Sequence, residues 1–300
     1  MDTLLGRGEE AAPSGHCGTV EECSEAGGID THRVNERSPI TTASHQDEPQ
    51  AQDEPQAQDE PRAQDEPQAQ DEPQAQDEPQ LEAAVLDYWR RQPASVDGVL
   101  GGYGHLHSLD IRGSREFLNL VGRRLRKWKV TVKQQRALDI GAGIGRVAQY
   151  LLLPMYGRVD LVEPVKKLLE TAERILGPRN EVRYIDRCIE DLGSDAIRSD
   201  YDCIWLQWVT MYVPDDKLVK ILGKLVLHCP NGFVGIKDNV SADDATQFDE
   251  VDHSFARSMS NWQEIFARAK LSVIHIAKQR QWPTHLYDVY MFALRPARDM

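Results

Sequence analysis

Three glycines on alternate positions, Gly141, Gly143 and Gly145, follow the apolar residues Leu138 and Ile140 in the stretch RALDIGAGIGR. An apolar strand running into a glycine-rich turn and then a helix presents backbone N–H groups to a bound nucleotide. Glycine suits such a turn because the chain must reverse sharply and approach its ligand with no Cβ in the way. The spacing is Gly-x-Gly-x-Gly, not the Gly-x-Gly-x-x-Gly of dinucleotide folds, which points to S-adenosylmethionine (SAM) over a pyrophosphate ligand. About 20 positions past the glycines, where an acid can hold a ribose hydroxyl pair, Glu163 ends a second apolar run at residues 159–162.

Further along, Gln207, Trp208 and Tyr212 follow the apolar run 201–206, and Lys237, Asp238 and Asn239 come at the end of the run 232–237. The next loop brings Asp249, Glu250 and Asp252 close together, followed by His253 and Ser254. An amide, an indole and carboxylates around one strand edge can hold a cationic substrate. Each taken alone has a plainer use: Trp208 as core, Asp249 to Asp252 as a helix cap, Asn239 as a turn former.

The elements that must position these residues alternate strand and helix from residue 136 onward, the mark of a parallel sheet covered on both faces. Strands are expected at 159–162, 182–185, 201–206 and 232–237, with helices at 165–176, 215–228 and 258–269. Two late strands, 271–277 and 286–294, stand too close for a helical crossover and should pair antiparallel or lie at an edge. The expectation is an α/β, Rossmann-like SAM-dependent methyltransferase fold, mostly parallel with one antiparallel strand near the C-terminus. Ahead of it, residues 81–91 and 114–128 read as helices, and the glycine-rich stretch 97–110 between them as a flexible lid loop.

Residues 1–80 differ in kind. They hold 20 of the 48 acidic and 4 of the 35 basic side chains and repeat a QDEPQA unit, with prolines at Pro49, Pro55, Pro61, Pro67, Pro73 and Pro79. Proline every sixth residue breaks a helix, and nothing in the unit is large enough to bury. A disordered acidic tail over 1–80 and one folded domain over 81–300, with a helical lid at 81–128, is the expected organisation. The net charge of −13 belongs to the tail; the remainder is close to neutral and gives no footprint for a nucleic acid. Five cysteines without metal-like spacing suggest reduced thiols in the cytoplasm or nucleus. No run suggests a signal peptide or a membrane span.

The stretches YWRRQPASVDGVLGGYGH, LDIGAGIGRV, YDCIWLQWV, GIKDN and DEVDHS resemble, in order and spacing, the eukaryotic protein α-N-terminal methyltransferases. That family methylates the free amino group of proteins beginning Xaa-Pro-Lys, once the initiator Met is removed. The resemblance spans residues 86–295 and leaves the tail out. It implies that Gly141, Gly143 and Arg146 hold the methionine end of SAM, the guanidinium on its carboxylate. Trp89 would close over the cofactor, Glu163 would take the ribose where the family usually has Asp, and Ile189 would contact the adenine. Gln207 would line the junction between cofactor and substrate. Trp208 and Asn239 would position the terminal residue, with Leu100 and Gly101 in the lid and Tyr88 and Tyr287 as channel walls. Asp249, Asp252 and Ser254 would receive the third-position lysine.

Methyl transfer is an in-line displacement, so holding amine and methyl in line supplies much of the acceleration. The amine must be neutral, and a free α-amino group titrates at about 7.7–8.0. A nearby carboxylate raises that value, so Asp252 must also accept the proton. Tyr212 stands where the family usually has His, and a phenol is a poor base near neutral pH. The expectation is that Asp252 carries proton transfer while Tyr212 orients the amine, with Asn239 beside them. Two other readings stay open: a methyltransferase for small-molecule amines, and a catalytically weak SAM-binding regulator.

Overall fold

In the computed structural model, residues 78–127, 135–193 and 195–297 are described. The tail expected over 1–80 lies outside them except for its last three residues, which already belong to the first helix, α1 (Glu78–Arg91). Pro79 does not break that helix because it stands in the first turn, where its missing N–H would have no partner anyway.

The apolar runs become β1 (Ala137–Ile140), β2 (Val159–Val162), β3 (Val182–Ile185), β4 (Cys203–Gln207) and β5 (Phe233–Val240), followed by β6 (Gln247–Asp249), β7 (Ser254–Ala256), β8 (Leu271–Lys278) and β9 (Asp288–Pro296). Seven of them form one sheet in the order β3-β2-β1-β4-β5-β9-β8. Strands β1 to β5 run parallel, and β9 is antiparallel to both β5 and β8. The link 279–287 is too short for a crossover helix, so β8 and β9 form a hairpin and β9 is the one reversed strand. Strand order reverses between β1 and β4, which opens a crevice at their carboxyl ends.

Alternation along each strand feeds two cores. Cys203 and Trp205 of β4 pack with Phe117, Leu118 and Val121 of α2 (His107–Lys127), while Ile204 and Leu206 face Leu222 of α5 (Asp215–Leu225) and Trp262 of α6 (Met259–Arg268). Each fully buried Leu or Ile contributes about 1.5–3 kcal/mol. The segment after the glycine turn passes through a π-helical turn, Ala148–Leu152, into α3 (Leu153–Tyr156); widening the helix there accommodates Pro154, which has no N–H to donate. Helix α4 (Lys166–Leu176) links β2 to β3.

Three expectations need correction. The stretch 97–110 is not loop throughout: it makes two 3₁₀ turns, Gly98–Leu100 and Gly104–Leu106, tied by Asp97 Oδ1 accepting from Gly104 N at 2.9 Å, and α2 starts at His107. Lys237, Asp238 and Asn239 lie within β5, which runs on to Val240 because β9 offers partners as far as Asp288. The acidic loop is the tip of a separate hairpin, β6–β7, whose three pairs end at Asp249↔Ser254.

Candidate functional site

At the end of β1 the three glycines take left-handed backbone angles, with φ of 71° at Gly141, 54° at Gly143 and 76° at Gly145. Gly141 is also crowded, since a Cβ there would stand 2.7 Å from Val209 Cβ. The turn is held by Glu163, whose Oε2 accepts from Gly143 N and Oε1 from Val165 N, both at 2.8 Å. The acid after β2 thus joins the glycine turn to the start of α4.

Burial pushes the Glu163 carboxyl up to about 7, against the two backbone donors that pull it down. The folded value lies above the ordinary 4.5. Its contribution to stability is therefore full below pH 4.5 and is lost as pH rises through about 7. Between about pH 6 and pH 8 the melting temperature of Glu163→Gln, measured without cofactor, should move upward relative to wild type. A gap between the two proteins that stays constant over that range would contradict the assignment.

A cleft of about 1090 Å³, open at its mouth, lies over this turn and is lined by all seven residues expected to hold the cofactor: Trp89, Gly141, Gly143, Arg146, Glu163, Ile189 and Gln207. Its floor includes Asp139, which the sequence reading passed over as a strand residue. Asp139 is 2% exposed, its Oδ2 has no hydrogen-bond partner, and burial raises its carboxyl to about 7. A guanidinium beside a carboxyl with one free oxygen, the group also accepting a backbone hydrogen bond from Ala148, suits the carboxylate and ammonium of an amino acid, so the residues present fit the methionine end of SAM. At the opposite end Lys217 pairs with Glu82 of α1 at 3.5 Å and with Glu190 at 3.9 Å, tying the lid helix to the wall that follows β3.

A second cavity, open to solvent, shares Trp89, Val99, Trp208 and Tyr212 with the first. Seven expected substrate residues line it: Tyr88, Leu100, Gly101, Trp208, Asn239, Asp252 and Tyr287. Trp208 has φ of +52°, which costs a bulky residue about 1–2 kcal/mol. That conformation aims its indole at β5, where Nε1 donates to Asn239 Oδ1 at 3.2 Å. The Tyr212 hydroxyl donates to Asp252 Oδ2 at 3.4 Å, and Asp252 Oδ1 accepts from Ser254 N at 3.0 Å. Burial, followed by the charge of Asp252, raises the Tyr212 phenol well above its ordinary 10.0.

Two expected substrate residues are not brought to the cavity wall. Asp249 is exposed and caps the hairpin tip, accepting from Val251 N at 2.7 Å; Ser254 is buried and meets Asp252 through its backbone. They flank Asp252 because the hairpin pairs them with each other. The His253 ring tilts toward Phe248, 6.3 Å between centroids, and is likewise not part of the wall.

A buried network beneath both cavities escaped the sequence reading. Asp110, fully buried in the first turn of α2, accepts from Arg146 Nη1 at 2.6 Å, Gln207 Nε2 at 2.9 Å and Lys237 Nζ. Burial pushes its pKa up, but the charges and hydrogen bonds of Lys237 and Arg146 prevail and hold it below the usual range. Gln279 Oε1 accepts from Lys237 Nζ at 2.8 Å, reaching it past Gly113, where a Cβ would stand 2.2 Å from that oxygen. Gly113→Ala would gain about 1 kcal/mol from helix propensity. It should nevertheless destabilise by about 1–2 kcal/mol net, since displacing Gln279 leaves the Lys237 ammonium short of an acceptor. A higher urea midpoint in the variant would refute this.

A sheet with one reversed strand, a glycine turn at its switch point and a cleft fitted to an amino-acid-bearing nucleoside define a SAM-dependent methyltransferase of class I. A family model for AdoMet dependent proline di-methyltransferases matches residues 77–295, and the chain belongs to that family. Among curated relatives, N-terminal Xaa-Pro-Lys N-methyltransferase 1 of Homo sapiens is 39% identical over 211 residues, 69% of this chain and 92% of the relative. The Xenopus laevis protein N-terminal Xaa-Pro-Lys N-methyltransferase 1-B is 37% identical over 212 residues, 70% of this chain and 92% of the relative. A solved SAM-dependent methyltransferase from Leishmania major is similar with a TM-score of 0.64 at 36% identity, covering 72% of this chain and 83% of that one.

Proposed function

We propose that this methyltransferase acts on the free α-amino group of protein N-termini of the Xaa-Pro-Lys type, exposed by removal of the initiator Met. The observation that carries the reading is the wall shared by the two cavities, where Trp89, Trp208 and Tyr212 stand between the cofactor cleft and a chamber containing Asp252 and Asn239. SAM would supply a methyl group on a sulfonium: the neutral amine would bond to that carbon as its bond to sulfur breaks in line, the sulfur leaving as a thioether. Trp208 and Asn239, already bonded to each other, fix where that amine lies, which is the part of the barrier that positioning removes. Asp252 accepts the ammonium's proton, and Tyr212, donating to Asp252, keeps the carboxylate turned toward the amine. Asp249 and Glu250 at the exposed hairpin tip give a third-position lysine a negative mouth to approach. The names of the relatives support the same substrate class.

The test is a set of three peptides, beginning Ser-Pro-Lys-Arg, Ser-Pro-Gln-Arg and Ser-Ala-Lys-Arg. Methylation of the first should exceed that of the other two by about tenfold or more, the worth of one well-placed charge or ring contact. Equal rates on all three, or turnover only of small amines, would overturn the peptide assignment. We further propose a reducing compartment, the cytoplasm or nucleus, from five cysteines without metal-like spacing in the sequence. Among the described residues no helix is long and apolar enough to cross a membrane.

A further inference from the structure

We propose that Lys237 is a positioning residue for the cofactor: it never reaches the cleft, yet it sets the net charge that lets Arg146 receive the carboxylate of the amino-acid end. Lys237 does not line the cleft, whereas Arg146 does, and both share one carboxylate, Asp110. Every hydrogen bond that Lys237 Nζ makes goes to an acceptor: Asp110 Oδ1, Asp110 O at 3.2 Å, Ser114 Oγ at 3.0 Å and Gln279 Oε1 at 2.8 Å. Burial lowers the lysine's pKa, as does the Arg146 charge, while the charge and hydrogen bond of Asp110 oppose that shift. Ser114 Oγ spends its own proton on Asp110 O, so it too can only accept from the lysine. Such a shell requires an ammonium.

The charge balance follows. Arg146 and Lys237 are two cations on one anion, and His107, whose Nδ1 lies 3.3 Å from Arg146 Nη1, adds no charge of its own, since burial and that guanidinium lower its pKa. Arg146, Lys237 and Asp110 together therefore carry one positive charge in excess, in a place largely shut off from water, and Asp139, whose carboxyl burial raises to about 7, offsets it only in part near neutral pH. Without Lys237, Asp110 and Arg146 would form a closed, neutral pair, and the guanidinium would have little to offer an anion in the cleft. With Lys237 holding Oδ1, Asp110 is already partly neutralised and the excess charge faces the cleft through Arg146. Asp139, with its unpartnered Oδ2, stands beside it for the ammonium. The cleft thus offers opposite charges to the two ends of an α-amino acid, and Lys237 supplies one of them indirectly. This goes beyond the choice of methyl acceptor and does not depend on it.

The test uses two ligands that share a nucleoside and a thioether: S-adenosylhomocysteine, which has the amino-acid end, and 5′-methylthioadenosine, which lacks it. Calorimetry on Lys237→Met should show the first weakened about tenfold or more, the effect of removing one nearby charge from a shielded site. Methylthioadenosine affinity should hold within about twofold, because its contacts do not involve that charge. A purely structural role for Lys237 would weaken both ligands alike, and that result overturns the proposal, as does an unchanged affinity for both.

The double variant Asp110→Asn with Lys237→Met restores the excess charge on Arg146. In it the amide oxygen can take the place of Oδ2, to which Arg146 and Gln207 already donate at 2.6 and 3.0 Å. Its preference for S-adenosylhomocysteine over methylthioadenosine should return to within about threefold of wild type, as the charge count is the same. A preference as poor as that of the single variant contradicts the charge argument. Should Lys237→Met fail to fold, the double variant decides alone by the same ratio, and loss of the wild-type preference there overturns the proposal.

Discussion

Replacing Asp252 by asparagine should lower kcat/KM for N-terminal methyl transfer about a hundredfold or more, the range for removing a group that takes a proton in the transition state. Tyr212→Phe should cost less than about tenfold, the worth of one neutral hydrogen bond. The difference follows from what each group can do. Asp252 lies in the substrate chamber with Oδ1 fixed by Ser254 N and Oδ2 met, among the described residues, by the Tyr212 hydroxyl, so a carboxylate oxygen is held ready for an amine. The phenol is pushed further from neutral titration by burial and by Asp252 itself, so it donates and does not deprotonate an ammonium. Single-turnover rates with a saturating peptide separate the two: comparable losses would mean that Tyr212 is doing more than orienting Asp252.

Arg257→Met should destabilise the protein by about 3–5 kcal/mol, because removing one member of a buried ion pair strands the other. Arg257 is fully buried between the rings of Phe255 and Trp262. Its Nε donates to Asp215 Oδ1 at 2.6 Å, its Nη1 to Thr210 O at 3.0 Å and its Nη2 to Val213 O. Those carbonyls bracket the turn that presents Tyr212, and Arg257 itself follows β7 of the hairpin that presents Asp252. One guanidinium therefore locks together the two segments whose meeting makes the acceptor site. Folded variant protein should lose more of its peptide turnover than of its affinity for S-adenosylhomocysteine, since the turn that Arg257 holds belongs to the wall between the two cavities while the glycine turn and α4 are held by Glu163. An unfolding midpoint in urea indistinguishable from wild type would refute the clamp.

Much of this was legible in the sequence, for physical reasons. A mostly parallel sheet with one reversed strand follows from alternating strand and helix patterns and from one link too short for a crossover. The glycine turn and Glu163 could be read because they are local and depend on spacing within one β-α-β unit, whereas Trp89, Arg146, Ile189 and Gln207 came with the family resemblance. What stayed hidden depends on contacts between distant residues. Asp110 ends the stretch that reads as a loop, and its meaning appears only when Lys237, 127 positions away, meets it inside the protein. Arg257 reads as a surface charge beside a helix cap, and 42 positions separate it from the Asp215 that holds it. The resemblance placed Asp249 and Ser254 at the substrate, but the hairpin register turns them to either side of Asp252. A loop reading of that segment carries no register, so it could not separate the three.

The measurement that bears most directly on the account is the mass of a peptide beginning Ser-Pro-Lys-Arg after incubation with the protein and SAM, beside its N-acetylated twin. The account predicts added methyl units on the free peptide and none on the acetylated one, because the chamber behind Trp208 is built for a terminal amine. Methyl units on both would move the target to a side chain and contradict it.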